Sequence, residues 1–327
     1  MASTLSTTRY WVGKLLTRLF PRHPSAKAEP PSSVHRLSLQ VPTLVTHGFR
    51  EAATFSRPPE RTFCREDGVL WAEYYIEDHK ACINFPDLAA FYVSLDETRV
   101  DVVPLHGTSE ASLQQLWHGQ VLPMLYAARG HTVLHGCAVK IGERTACFLG
   151  RSGMGKSTMA SSFAIAGYPF LTDDGLLLER VEGQGYEVHP SNAAVRLWRD
   201  SEEAVLPKNI EVAPPVQYTT KSRFVAGDEL PHCNQTSQLS AIYVLAREGV
   251  SEPTIAPLRA NEAMMEFTKH SFLLDARGES ALRGHFERMS TLACEARSFR
   301  LDYPREYAQL PEVREAVLNH QYSLGSI

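Results

Sequence analysis

The stretch "HGCAVKIGERTACFLGRSGMGKSTMASSFAIAGYPFLTDDGLLLE" (residues 135–179) decides how the chain is read. Within it Gly150, Arg151, Ser152, Gly153, Met154, Gly155, Lys156 and Ser157 fit the phosphate-loop pattern G-x-x-x-x-G-K-[ST] at every position, with Thr158 next. "TACFL" (145–149) predicts a strand entering the loop. "KSTMASSFAIAG" (156–167) predicts a helix leaving it, stopped by Gly167 and Pro169. Glycines in such a loop let backbone N–H groups turn around phosphate oxygens at the positive end of the helix. Lys156 then reaches the outer phosphates, and the Ser157 hydroxyl ligates magnesium. This is the pattern of a nucleotide triphosphate site.

One helix further on, Asp173 and Asp174 sit in an apolar run, "YPFLTDDGLLLE" (168–179). Two adjacent carboxylates buried without partners cost several kcal/mol, so something must compensate them. Asp-Asp-Gly is also good turn chemistry. In a regular strand the two side chains point to opposite faces and take separate tasks, one on magnesium and one on an incoming hydroxyl. Gly175 offers the alternative of a bend that aims both at the phosphates.

Upstream, "TVLHGCAVK" (132–140) and "RTACFL" (144–149) predict an antiparallel hairpin about Gly142. That register sets His135 opposite residues 148–150, at the mouth of the loop. There it suits a hydrogen bond to an aspartate or a phosphate that tunes the aspartate's pKa.

Outside this stretch the chain is ordinary. It has 327 residues, 43% hydrophobic and 21% charged, with a net charge of -4 that argues against nucleic acid as a partner. Six scattered cysteines without C-x-x-C spacing predict neither a zinc site nor a disulfide framework, and suit a cytoplasmic protein. No apolar run is long enough for a transmembrane segment.

Residues 1–34 form a basic tail with an amphipathic pattern and then a Pro/Ser-rich linker, "PRHPSAKAEPPSSV" (21–34). Residues 35–109 predict a small β-rich region, with strands at "VLWAEYYI" (69–76) and "AAFYVSL" (89–95). The second region, 110–327, opens on a helical pattern that Pro123 kinks or divides. It continues past the loop to "SAIYVLA" (240–246) and further helices. The whole predicts an α/β protein.

The string "HGCAV…GRSGMGKST…GYPFLTDDG" resembles the HPr kinase/phosphorylase superfamily. It is closest in style to the HPr-kinase-like serine kinases associated with ribosomal peptides, such as lasso peptides, or with cofactor biosynthesis. Fifteen residues separate His135 from Gly150 and seventeen separate Lys156 from Asp173, as in that family. The resemblance implies a phosphoenolpyruvate-carboxykinase-like P-loop kinase core that uses ATP and Mg2+. It implies Asp173 as the base, assisted by His135, with Lys156 on the phosphates and Asp174 and Ser157 on magnesium. The acceptor it implies is a serine of a peptide or small protein; homo-oligomerisation is left open.

The chain departs from the phosphocarrier kinases at Thr158, where they have Glu. It also has "SNAAVRLWRDSEEA" in place of their glycine-rich segment, which argues against HPr as acceptor and against a phosphorylase back-reaction. A small-molecule kinase, a water-attacking NTPase and a nucleotide-binding regulator remain as alternatives. Arg196, Lys221, Arg223 and Arg305 are candidates for further phosphate contacts, but no spacing singles one out.

Overall fold

Alternation in "AAFYVS" places Ala89, Phe91 and Val93 on one face of a strand and Ala90 and Tyr92 on the other. This period of two recurs through the first sheet, because successive side chains of a strand point to opposite faces. The computed structural model describes residues 41–48, 58–65, 67–77, 80–94, 99–246, 250–272 and 278–325. The basic tail and the Pro/Ser linker lie outside the described residues. Pro42–Ile327 forms one unit.

Its first sheet contains β1 (Thr43–Thr46), β2 (Arg61–Cys64), β3 (Leu70–Glu77), β4 (Lys80–Phe85), β5 (Ala89–Ser94) and β6 (Arg99–Pro104), in the order β1-β6-β5-β4-β3-β2. Tyr74, Ile83, Phe91 and Val102 are partners across four neighbouring strands and form a buried row. Over it lies a helical segment, α1 (Glu110–Leu116), a π turn (Trp117–Val121) and α2 (Leu122–Ala128). Ser109 caps α1 by accepting from the Ser112 N–H at 3.2 Å. Pro123 has no N–H to bond back along the helix, and the helix widens just before it and then resumes. Leu113, Leu116, Trp117, Val121 and Leu125 bury their side chains against the first sheet.

The second sheet carries the opening stretch. Its elements are β7 (Thr132–Ile141), β8 (Arg144–Leu149), α3 (Lys156–Ile165), β9 (Phe170–Thr172), β10 (Gly175–Val181) and β11 (Gly185–His189). A separate ribbon follows, β12 (Ala194–Leu197) and β13 (Ser222–Val225), with α4 (Arg199–Val205) between them. The chain returns to the sheet as β14 (Ser237–Leu245) and β15 (Thr254–Pro257). After α5 (Ala260–His270) and α6 (Glu279–Glu295) come β16 (Ser298–Asp302) and α7 (Leu310–Ser323).

The sheet order is β11-β10-β7-β8-β14-β16-β15, with β9 also on β7; β14 runs parallel to both β8 and β16. Both faces of its centre are covered. Ala241, Tyr243 and Leu245 pack with Phe163, Val313 and Val317 on one side. Ile242 and Val244 pack with Phe267, Met289 and Leu292 on the other. That double burial is why "SAIYVLA" is apolar at nearly every position.

The protein is thus a mixed α/β structure with several sheets. No described helix is long and apolar enough to cross a membrane. All six cysteines are free; Cys82, Cys137 and Cys147 are buried, whereas Cys64 and Cys294 are exposed.

Candidate functional site

β8 ends at Leu149, and α3 begins at Lys156, so the predicted loop joins a strand to a helix N-terminus. Gly153 and Gly155 adopt left-handed backbone, at φ +78° and +83°. At Gly155 a Cβ would also stand 2.7 Å from the Tyr303 hydroxyl, so glycine is required on two counts. The Lys156 ammonium folds back into the loop and donates to the carbonyls of Gly150 at 2.8 Å and Arg151 at 3.0 Å. Burial lowers its pKa.

Tyr303 and Arg305, just past β16, hold the loop from outside. The Tyr303 hydroxyl donates to the Met154 carbonyl at 3.0 Å, and an Arg305 N–H donates to the same carbonyl. The Arg305 guanidinium also lies over the Tyr303 ring, 4.1 Å from its centroid.

The hairpin forms in the predicted register. Gly136 pairs with Leu149, which sets His135 beside the start of the loop. On its other side His135 pairs with Gly175, so it bridges the loop and the aspartate pair. Burial, then the Lys156 charge, pushes the His135 imidazole down to about 4, so it is neutral at pH 7.

The aspartates depart from a regular strand. β9 stops at Thr172 and β10 starts at Gly175, and between them Asp174 takes φ +85°, the one left-handed non-glycine among the described residues. A non-glycine there is strained, and such strain concentrates at functional sites. The Thr172 hydroxyl closes the turn on the Gly175 carbonyl at 2.7 Å. Alternation therefore fails at this point, and both carboxylates converge on one residue, Arg196 of β12. Asp173 accepts from the Arg196 backbone N–H at 3.0 Å. Asp174 accepts from the guanidinium through Nε at 2.9 Å and Nη2 at 2.5 Å.

The Ser157 hydroxyl donates to Asp173 at 2.7 Å, and the Asp174 charge acts on His135. The left-handed turn swings Asp174 across to Arg196 and leaves Asp173 over the first turn of α3.

The carboxyls differ in acidity. Burial, then the neighbouring Asp174 charge, pushes Asp173 up to about 6. Burial is the largest influence on Asp174 and works against its ionised form, but the surrounding cationic groups, Arg196 foremost, together outweigh it and hold that carboxyl below the usual range. Arg196, Lys221 and Asp174 face Gly153, Lys156 and Ser157 around a cavity of about 170 Å³, which Arg305 also lines. His135, Ser152, Gly155 and Thr158 border it too, while Gly150, Arg151, Met154 and Asp173 do not.

Sequence reasoning named Arg196, Lys221 and Arg305 only as unranked cations. It missed Tyr303, whose role depends on the end of β16 reaching the loop. Trp198 was missed as well; it lines the cavity beneath the Lys221 ammonium.

No family model matches this chain, and no curated protein matches it in sequence. Among solved structures, the Hpr(Ser) kinase/phosphatase from Coxiella burnetii is similar at 10% identity and a TM-score of 0.33, covering 59% of this chain and 98% of that one. The likeness is distant; the chemistry of the site follows from its own side chains.

Proposed function

We propose that the chain is an ATP-dependent phosphotransferase that moves the γ-phosphate to a hydroxyl, with a serine of a peptide or small protein as the leading acceptor. The carrying observation is the 2.7 Å bond from Ser157 in the loop to Asp173 in the aspartate pair. It brings a carboxylate close to where the outer phosphates of a loop-bound nucleotide would lie. In this reading residues 110–327 are a phosphoenolpyruvate-carboxykinase-like P-loop kinase core, and 35–109 a β-rich region preceding it.

Hard oxygen donors on the cavity wall suit Mg2+: the Ser157 oxygen keeps lone pairs beyond its bond to Asp173, and Asp174 is held ionised by Arg196. Bound there, Mg2+ would neutralise phosphate charge. Lys156 exchanges its two carbonyl partners for the β- and γ-phosphates. The acceptor hydroxyl approaches in line. Its oxygen bonds to the γ-phosphorus as the bond to the β-bridging oxygen breaks, and its proton passes to Asp173.

Asp173 suits that step because a carboxyl held near 6 is ionised at pH 7 yet accepts a proton better than an ordinary carboxylate. His135 stays neutral beside Asp174 and adds no competing charge.

Incubation with γ-labelled ATP and a panel of serine peptides, small proteins and small hydroxyl compounds tests the proposal. Label on a peptide or protein serine is expected. Label on a small molecule alone moves the acceptor class. ATP binding without transfer to any acceptor leaves a regulator, and rapid acceptor-free hydrolysis leaves an NTPase.

A further inference from the structure

Across the β12–β13 ribbon, Arg196 and Arg223 are direct partners. Like charges opposite one another on adjacent strands are destabilising, so such a pair needs a reason. Asp174 neutralises Arg196. Among the described residues no carboxylate pairs with Arg223: its Nε is buried without a hydrogen-bond partner, and Nη2 reaches the neutral Asn192 Oδ1 at 3.3 Å.

Two positions before Arg223, Lys221 repeats the pattern. Among the described residues its ammonium meets no carboxylate, and it rests 5.1 Å from the centroid of the Trp198 ring. Burial and then Arg196 lower its pKa. His118 feels the same field, its imidazole pushed down by burial and then by Arg223.

These cations surround a second cavity, of about 160 Å³. Arg196, Lys221 and Arg223 line it together with the hydroxyl residues Thr219, Thr220 and Ser222 and an apolar wall at 212–216; among the described residues no carboxylate does. Arg196 and Lys221 also line the first cavity, so the two adjoin through them. No residue of the phosphate loop lines the second one, and Arg223 does not line the first. A chamber in which Lys221 and Arg223 meet no carboxylate among the described residues, beside several hydroxyl groups, suits an oxyanion.

We propose that Lys221 and Arg223 bind an anionic group, a carboxylate or a phosphate, carried by the acceptor next to the hydroxyl that is phosphorylated. This rests on the phosphotransferase reading; the acceptor is the favoured source because no phosphate-loop residue lines the second cavity. The same oxyanion chemistry could instead belong to the nucleotide, and the test separates the two sources.

Inorganic phosphate is titrated into the protein, free and saturated with a non-hydrolysable ATP analogue, for wild type and Arg223→Gln. Phosphate is expected to bind the analogue-saturated wild type, and the variant to bind it about tenfold or more weakly, as loss of a charged hydrogen bond implies. Affinity for the analogue should be unchanged. Without anion, the variant should melt at or above the wild-type temperature, since it removes a like-charge pair.

Equal phosphate binding by both proteins overturns the subsite. A matching loss of analogue affinity assigns Arg223 to the nucleotide instead, and a lower melting temperature makes it structural. Failure of the analogue to bind at all sinks the phosphotransferase reading, yet loss of phosphate binding in the nucleotide-free variant still reports the subsite.

Discussion

The Ser157 hydroxyl donates to Asp173 across 2.7 Å, tying the first turn of α3 to the break between β9 and β10. Loop and aspartate pair thereby become one site, although sixteen positions separate the two residues.

Asp173→Asn should lower the rate of transfer by about a hundredfold or more, the usual cost of losing a general base. The amide still accepts from Ser157 but takes no proton, so ATP affinity should stay near wild type. Single-turnover transfer and ATP binding, measured on the same preparation, check this. Wild-type transfer by the variant would remove Asp173 from the chemistry.

Arg196→Met should be among the more destabilising single changes in the chain. Its side chain and that of Asp174 are 14% and 11% exposed, and its loss leaves the Asp174 carboxylate, next to Asp173, without its guanidinium partner. Breaking a buried pair in this way costs about 3–5 kcal/mol. Urea denaturation reads the loss, and it should shrink at acid pH, where a protonated pair needs no counter-charge.

Gly155→Ala should abolish nucleotide binding and cost about 1–2 kcal/mol from the left-handed backbone alone. The new methyl also meets the Tyr303 hydroxyl. Adding Tyr303→Phe removes that oxygen, so the double variant should melt above Gly155→Ala. Thermal unfolding with and without ATP tests both parts.

Stability should fall on acidification. Burial holds His270 and His285 down to about 4, against 6.5 when unfolded, and His135 behaves alike. Between about 6.5 and 4 the unfolded chain binds more protons at these residues, so stability drops as pH falls through that window. Asp173 acts with the opposite sign. Its carboxyl is raised to about 6, so the folded state binds that proton first and gains between about 6 and its unfolded value of 3.8. Three histidines against one carboxyl leave a net loss, which melting temperatures across the window will show.

Much of this site was legible in the sequence. The loop is a local motif whose glycines set their own backbone, and the short turn at Gly142 determines the register that delivers His135. The aspartates were legible as a pair, and a bend beside Gly175 was one of the two geometries left open. Regular alternation separates them, and the left-handed turn at Asp174 overrules it. Arg196, Lys221 and Arg223 were indistinguishable from surface charges, because the ribbon that carries them is placed by distant packing. Tyr303 was illegible for the same reason.

Taken alone, the sequence determined the α/β class, the strand–loop–helix unit and the residue types available for chemistry, since these follow from short-range pattern and backbone preference. Only the tertiary structure decided which carboxylate meets Ser157, that Arg196 stands between both aspartates, and that Arg223 faces Arg196 uncompensated. Those relations join segments far apart in the chain. The buried core that β12, β13 and β16 share with α3 brings them together, and no local preference encodes it.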